Sequence, residues 1–148
     1  MKKAHKTLIG AILTAGLCVS FSLPAAASST TPHYFQNYGS GLYIQSNPTT
    51  GALSLGNQPR AFEIKASLDQ GVTWYEYVDG VTGLCLQANV ADTAVAEGGC
   101  EQNARQFWYW SSTSGIITNN YFGSHIEAKG TSVDLGSGST TPFTWNIS

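Results

Sequence analysis

Few side chains in this 148-residue chain suit chemistry, and most of those form hydrogen bonds rather than react. Glu127 offers a carboxylate that accepts hydrogen bonds from two hydroxyls at once. Asp134 follows on the next apolar-alternating segment, and Tyr121 or Phe122 supplies a ring face nearby. Together they would suit a polar ligand with one apolar side. The competing reading is structural, with both acids as solvated strand residues and Tyr121 packed between neighbouring segments. A second group, Gln87, Asn89 and Asp92, crowds one loop. There the competing reading is turn chemistry, because Asn and Asp cap local backbone groups in such places. Trp74, Tyr75 and Tyr77 would form an exposed aromatic strip of the kind that marks binding surfaces if alternate residues face outward, although a tryptophan of that size favours partial burial.

Reactive chemistry has no comparable support. The chain contains no Gly-x-Ser-x-Gly elbow, no His-Glu-x-x-His and no phosphate loop. His33 and His125, the two histidines beyond the N-terminal region, leave few general bases near neutral pH. No motif points to the paired carboxylates of glycoside hydrolysis. The expectation is a protein without catalytic residues and without a cofactor. A metal site is not expected either, since zinc normally wants four N or S ligands at tight spacing.

The elements that must position these residues come as three copies of one pattern. Gly41-Leu42-Tyr43-Ile44-Gln45, Gly83-Leu84-Cys85-Leu86-Gln87 and Gly123-Ser124-His125-Ile126-Glu127 open the copies. Leu53-Ser54-Leu55-Gly56 and Val133-Asp134-Leu135-Gly136 continue two of them, with Thr93-Ala94-Val95-Ala96 in the middle copy. A period of roughly 40 residues signals a repeat architecture, in which one unit alone cannot bury its apolar side. Leu42/Ile44, Leu53/Leu55, Leu84/Leu86 and Val133/Leu135 alternate with period two, as strands with one buried face do. Asn47-Pro48, Asp79-Gly80, Gly98-Gly99 and Lys129-Gly130 supply turns between them. Each copy also begins with a polar-aromatic segment, such as Tyr34–Tyr38 or Trp74–Tyr77, so four strands per copy predict twelve in all.

The N-terminus stands apart from this pattern. Lys2, Lys3 and Lys6 precede an apolar run from Leu8 to Leu23, and Pro24-Ala25-Ala26-Ala27 offers small residues for cleavage. This reads as a secretory signal peptide over residues 1–27. The run is short of the ~20 apolar residues that a membrane span needs, and Leu17 before Cys18 argues against lipoprotein processing. Export would leave residues 28–148 as one domain. Four basic residues then face nine acidic ones, a net charge of −5. Such a balance excludes the basic footprint of a nucleic-acid binder and electrostatic docking on anionic lipid. In an exported chain Cys85 and Cys100 are expected to form a disulfide. The short loop they close implies about 3 kcal/mol of stabilisation in the chain-entropy picture.

Gly83-Leu84-Cys85-Leu86, the second cysteine at Cys100 and Gln106-Phe107-Trp108 resemble one repeat of the ricin-type β-trefoil lectins. That family is marked by a Gln-x-Trp closing each repeat and by a cysteine pair within a repeat. The resemblance covers about Tyr34 to Ile147 and implies an all-β trefoil of three pseudo-equivalent four-stranded repeats, about 33–67, 72–112 and 115–148. The first copy closes with Arg60-Ala61-Phe62 and the third with Thr141-Pro142-Phe143, so both depart from the Gln-x-Trp pattern. In such a fold Phe62, Trp108 and Phe143 would meet near the pseudo-threefold axis.

The resemblance also implies carbohydrate binding. In sugar-binding repeats of this family an Asp follows the first strand, an aromatic ring stacks on the sugar, and an Asn precedes the Gln-x-Trp. Here Gln45, Gln87 and Glu127 stand at the Asp position, Gly56, Gly98 and Gly136 at the aromatic one, and Arg105 at the Asn one. The expectation is a secreted lectin-like module that departs from this pattern in all three repeats, with a glycan or glycoprotein as ligand. Its candidate ligand contacts are Glu127, Asp134, Tyr121, Gln87 and Asn89. The alternative is a protein-binding trefoil, either a protease inhibitor or a toxin adhesion subunit, presenting the stretch Ala88–Gly99.

Overall fold

A computed structural model describes residues 31–69, 71–89 and 95–148. The expected signal peptide and Asp92 lie outside the described residues. The described residues are all-β, with twelve strands among them: β1 Phe35–Asn37, β2 Tyr43–Ser46, β3 Leu53–Gly56, β4 Phe62–Asp69, β5 Val72–Asp79, β6 Cys85–Ala88, β7 Val95–Gly98, β8 Trp108–Trp110, β9 Ile117–Asn119, β10 His125–Lys129, β11 Ser132–Gly136 and β12 Trp145–Ile147. A single 3-10 turn covers Thr141–Phe143, and no α-helix occurs among the described residues. None of their helices could cross a membrane.

Alternation sets which faces are buried. Ile44, Leu86 and Ile126 sit at the second positions of β2, β6 and β10, and all three are buried. Val133 and Leu135 face the same core from β11. Trp74 and Tyr75 are half-buried and Tyr77 is fully buried, so the aromatic segment of β5 belongs to the interior and forms no exposed strip.

All strand pairs are antiparallel. β2–β3, β6–β7 and β10–β11 form hairpins with matching registers, in which Ile44 faces Leu55, Leu86 faces Glu97 and Ile126 faces Leu135. The other six strands pair as β12–β1, β4–β5, β5–β8 and β8–β9. The bridges His33–Phe62 and Ile116–Thr144 link the ends of β1 with β4 and of β9 with β12. Around each hairpin the same contacts recur, and the three stretches are called here the first, middle and third modules.

The register pairs Phe62 with Asp79, Trp108 with Asn119 and Trp145 with Asn37. The Trp108 indole N–H donates to the Leu86 carbonyl and that of Trp145 to the Ile126 carbonyl, both at 2.9 Å. Gly41, Gly83 and Gly123 close three equivalent turns, each donating its N–H to Asn37, Asp79 or Asn119, with φ of 70°, 70° and 67°. That conformation favours glycine. The sequence pattern put Phe143 in register with Phe62 and Trp108. The structure puts Trp145 there, because the 3-10 turn through Pro142 occupies the residues before β12. Phe143 instead matches Gln106, two residues before the tryptophan. Burying each of Phe62, Trp108 and Trp145 contributes roughly 2–3 kcal/mol.

Candidate functional site

The middle module carries a cleft of about 370 Å³ lined by Gln87, Glu101, Asn103, Ala104, Arg105 and Tyr121. Two of these residues are held by Gln106, which is fully buried. The Gln106 amide donates to the Gln87 side-chain carbonyl at 2.9 Å and to the Gly99 carbonyl, and its own carbonyl accepts the Glu101 N–H at 2.8 Å. Gln87 is thereby turned toward the cleft and donates onward to the Asn89 side chain at 2.8 Å. A buried amide with all its bonds made rigidifies what it touches.

The opposite wall comes from the next turn in the chain. Asn119, also fully buried, donates to the Arg105 carbonyl at 2.9 Å and accepts the N–H groups of Tyr121 and Phe122 at 3.1 and 3.2 Å. One side chain therefore ties the loop of the middle module to the turn after β9. Tyr121 is 57% exposed, and the Arg105 guanidinium lies 5.1 Å from its ring centroid. Phe122 meets the Tyr121 ring edge-on at 4.8 Å. The result is an exposed ring with a cation over one face and amides among the other lining residues. Glu101 is the one carboxylate among the lining residues, and Asn103 donates to it at 3.3 Å.

Cys85 and Cys100 form a disulfide, as expected, with a Cα separation of 5.0 Å. It fixes β6 to the start of the loop that supplies Glu101, Asn103 and Arg105. Residues 90–94 of the stretch Ala88–Gly99 lie outside the described residues.

The predicted site residues separate. Gln87, Asn89 and Tyr121 come together around the middle-module cleft. Glu127 and Asp134 are cross-strand partners in the third hairpin, and Asp134 lies 3.8 Å from the Lys129 amine. Tyr121 thus faces the middle module rather than Glu127. The third-module counterpart of the cleft, about 280 Å³, is lined by Asn37, Gly39, Ser40, Ala128, Gly130, Thr141 and Pro142, without a ring or a charge. A Cβ on Gly98 would meet the Gln87 carbonyl oxygen at 2.7 Å, and one on Gly136 would meet the Phe143 ring at 2.8 Å. A larger cleft of about 550 Å³ lies beside Tyr38 and Trp110, lined also by the strand residues Gln36 and Asn146 and by the exposed turn Ser112–Ser114.

No protein-family model and no curated protein matches the chain. Among solved structures it is similar to a GlcNAcα1-4Gal-releasing endo-β-galactosidase from Clostridium perfringens (13% identity, TM-score 0.63), covering 78% of this chain and 32% of that one. It is similar to SeviL bound to asialo-GM1 saccharide (15% identity, TM-score 0.60), covering 78% of this chain and 94% of that one. It is also similar to a Culex salivary protein of the Cysteine and Tryptophan-Rich family (16% identity, TM-score 0.61), covering 83% and 96%. The chain therefore spans about a third of the galactosidase and nearly all of the other two. At these identities the likeness is one of fold.

Sequence reasoning missed Glu101 and Asn103 as cleft residues and treated Arg105 only as a lost asparagine. A signal was present in Asn119, the counterpart of the turn residues Asn37 and Asp79, which ties the turn after β9 to the preceding module.

Proposed function

We propose that this chain is a secreted lectin-like module of the ricin-type β-trefoil kind, which binds a neutral glycan in the middle-module cleft and does not hydrolyse it. The observation that carries the reading is that the exposed Tyr121 ring and Gln87 line one cleft, with both held in place by the buried amides Gln106 and Asn119. A sugar presents hydroxyls on its edge and C–H groups on one face. Gln87, Asn89 and Asn103 suit the hydroxyls, and Tyr121 suits the C–H face. The threefold recurrence of strand pairs and the disulfide within the middle module support the trefoil assignment.

A single carboxylate in the cleft favours binding over hydrolysis, since glycosidases place two carboxyl groups across the scissile bond. Two similar structures bear galactosidase names and SeviL is bound to a saccharide, so galactose-containing glycans are the first ligands to test. The assay is a glycan array followed by calorimetry with the strongest hit. Binding by the protein and its loss in Tyr121→Ala is the expected result. A protein that binds no glycan, or a variant that binds as well as the parent, overturns the assignment. Export with cleavage after Ala27 is checked by N-terminal sequencing of protein recovered outside the cell.

A further inference from the structure

Three departures from the threefold pattern meet at one place. Arg60 stands where the other modules have Gln106 and Phe143, each two residues before the matched aromatic. Asp79 replaces Asn37 and Asn119. Glu97 replaces the core leucines Leu55 and Leu135, as the hairpin registers show. We propose that Glu97 and Asp79 form a proton-sharing latch across the junction of the first and middle modules, closed while Glu97 keeps its proton and weakened when it is lost.

The contacts support this from both sides of the junction. From the first module, the Arg60 Nε–H donates to Asp79 at 2.7 Å and the Ser46 hydroxyl donates to the same oxygen. From the middle module, the N–H groups of Val81 and Thr82 donate to the other Asp79 oxygen at 2.7 and 3.0 Å. The Thr82 hydroxyl donates to Glu97 at 2.9 Å, and the Glu97 N–H donates to the Gly51 carbonyl at 2.8 Å. Asp79 is fully buried, and its charge is balanced by Arg60. Asp79 is the charged neighbour that acts on Glu97, and the Arg60 Nε–H is directed at Asp79. Among the described residues no ion pair to Glu97 occurs. One Glu97 oxygen is buried and lacks a donor. A proton on Glu97 removes this conflict, because the carboxyl then donates toward Asp79.

Burial, together with the neighbouring Asp79, pushes Glu97 up to about 7. Burial would also raise Asp79, but the bonds from Arg60 and Ser46 outweigh it and hold that carboxyl well below the usual range. In the unfolded chain Glu97 returns to about 4.5. Between these values the folded state holds a proton that the unfolded state has released, so stability falls as pH rises through this window and is level above it. Glu76, raised mainly by its burial, acts in the same direction, while His125, lowered by burial, acts in the opposite one. The Glu97 share is therefore read as a difference between parent and variant.

The test is denaturant unfolding from pH 4 to 9 on the parent, Glu97→Gln and Glu97→Leu, together with a carbon-13 titration of the Glu97 carboxyl. The expected result is a Glu97 midpoint near 7. Relative to the parent, both variants should gain stability as pH rises from about 4.5 to 7. A Glu97 midpoint in the ordinary carboxylate range, or a parent-minus-Gln difference that does not change with pH, overturns the latch. If the leucine variant fails to fold, the glutamine variant and the direct titration decide.

Discussion

Asn119 in the middle-module cleft and Asn37 in its third-module counterpart do the same structural work with different consequences. The Asn119 amide donates to the carbonyls of Arg105 and Phe107, and Asn37 donates to those of Pro142 and Thr144, which are the matching positions. Both side chains also cap the turn that follows, Asn119 through Tyr121 and Phe122 and Asn37 through Ser40. The cradle is shared, yet its walls are not. Tyr121 in one turn corresponds to Gly39 in the other, Arg105 to Pro142, and Gln106 to Phe143. A Cβ on Gly39 would approach the Thr141 methyl at 2.9 Å, so the third module has no room for a ring there without rearrangement. The backbone makes a cleft wherever the turn is capped, and the side chains at these three positions decide whether it can hold a ligand.

The comparison rests on Trp108 and Trp145 being equivalent, and that equivalence carries the largest expected effect. Trp108→Ala and Trp145→Ala should each destabilise the protein by about 3–5 kcal/mol, since both remove a fully packed ring and its indole bond. Denaturant unfolding measures both. Costs that differ by more than about 2 kcal/mol would break the equivalence. Reducing the Cys85–Cys100 bridge should cost about 3 kcal/mol and also lower glycan affinity, because the loop with Glu101 and Arg105 begins at Cys100. Unchanged affinity after reduction would show that the loop is positioned by Gln106 alone.

Gln106→Met comes next. It keeps the volume but leaves the Glu101 N–H and the Gly99 carbonyl without their partner. The expected cost is about 1–3 kcal/mol, with at least tenfold weaker glycan binding because Gln87 is no longer oriented. Phe143→Met at the matching place should weaken stability without touching binding. Equal binding losses in the two variants would mean that the clefts do not differ as argued.

Much of the fold was legible in the chain, and the reasons are local. The pairs Leu42/Ile44 and Val133/Leu135 fix strand faces by alternation alone, and a two-residue period leaves little choice of register within a hairpin. The misread register is that of Phe143, which ends a 3-10 turn just before β12 and whose Pro142-Phe143 imitates the expected closing motif. The site was harder to read because its walls come from different modules. Tyr121 and Glu127 are near in sequence and were grouped together, but Asn119 turns Tyr121 back over the preceding loop. The cluster of Arg60, Asp79 and Glu97 was hidden for the same reason. Each residue looks ordinary in its own segment, and the three stand out only when the modules are superposed.

The smallest expected effect is the most pointed, because the sequence predicts the reverse. Glu127→Ala should leave glycan affinity within about twofold of the parent, since Glu127 does not line the middle-module cleft. Stability should change by no more than about 0.5 kcal/mol, as for other half-exposed positions without a structural bond. Glu127 faces Asp134 across the third hairpin, and like charges placed directly opposite are mildly unfavourable. The Lys129–Asp134 pair, 3.8 Å apart with an exposed lysine and a half-buried aspartate, offsets little of this. The melting temperature of Glu127→Ala should therefore hold steady or rise slightly, while Tyr121→Ala, whose ring is mostly solvent-facing, should keep its stability and lose at least tenfold in affinity. Calorimetric titration of both variants with one glycan separates the two modules. A tenfold loss in Glu127→Ala alongside full binding by Tyr121→Ala would move the ligand to the third hairpin and reverse the contrast drawn between the two clefts.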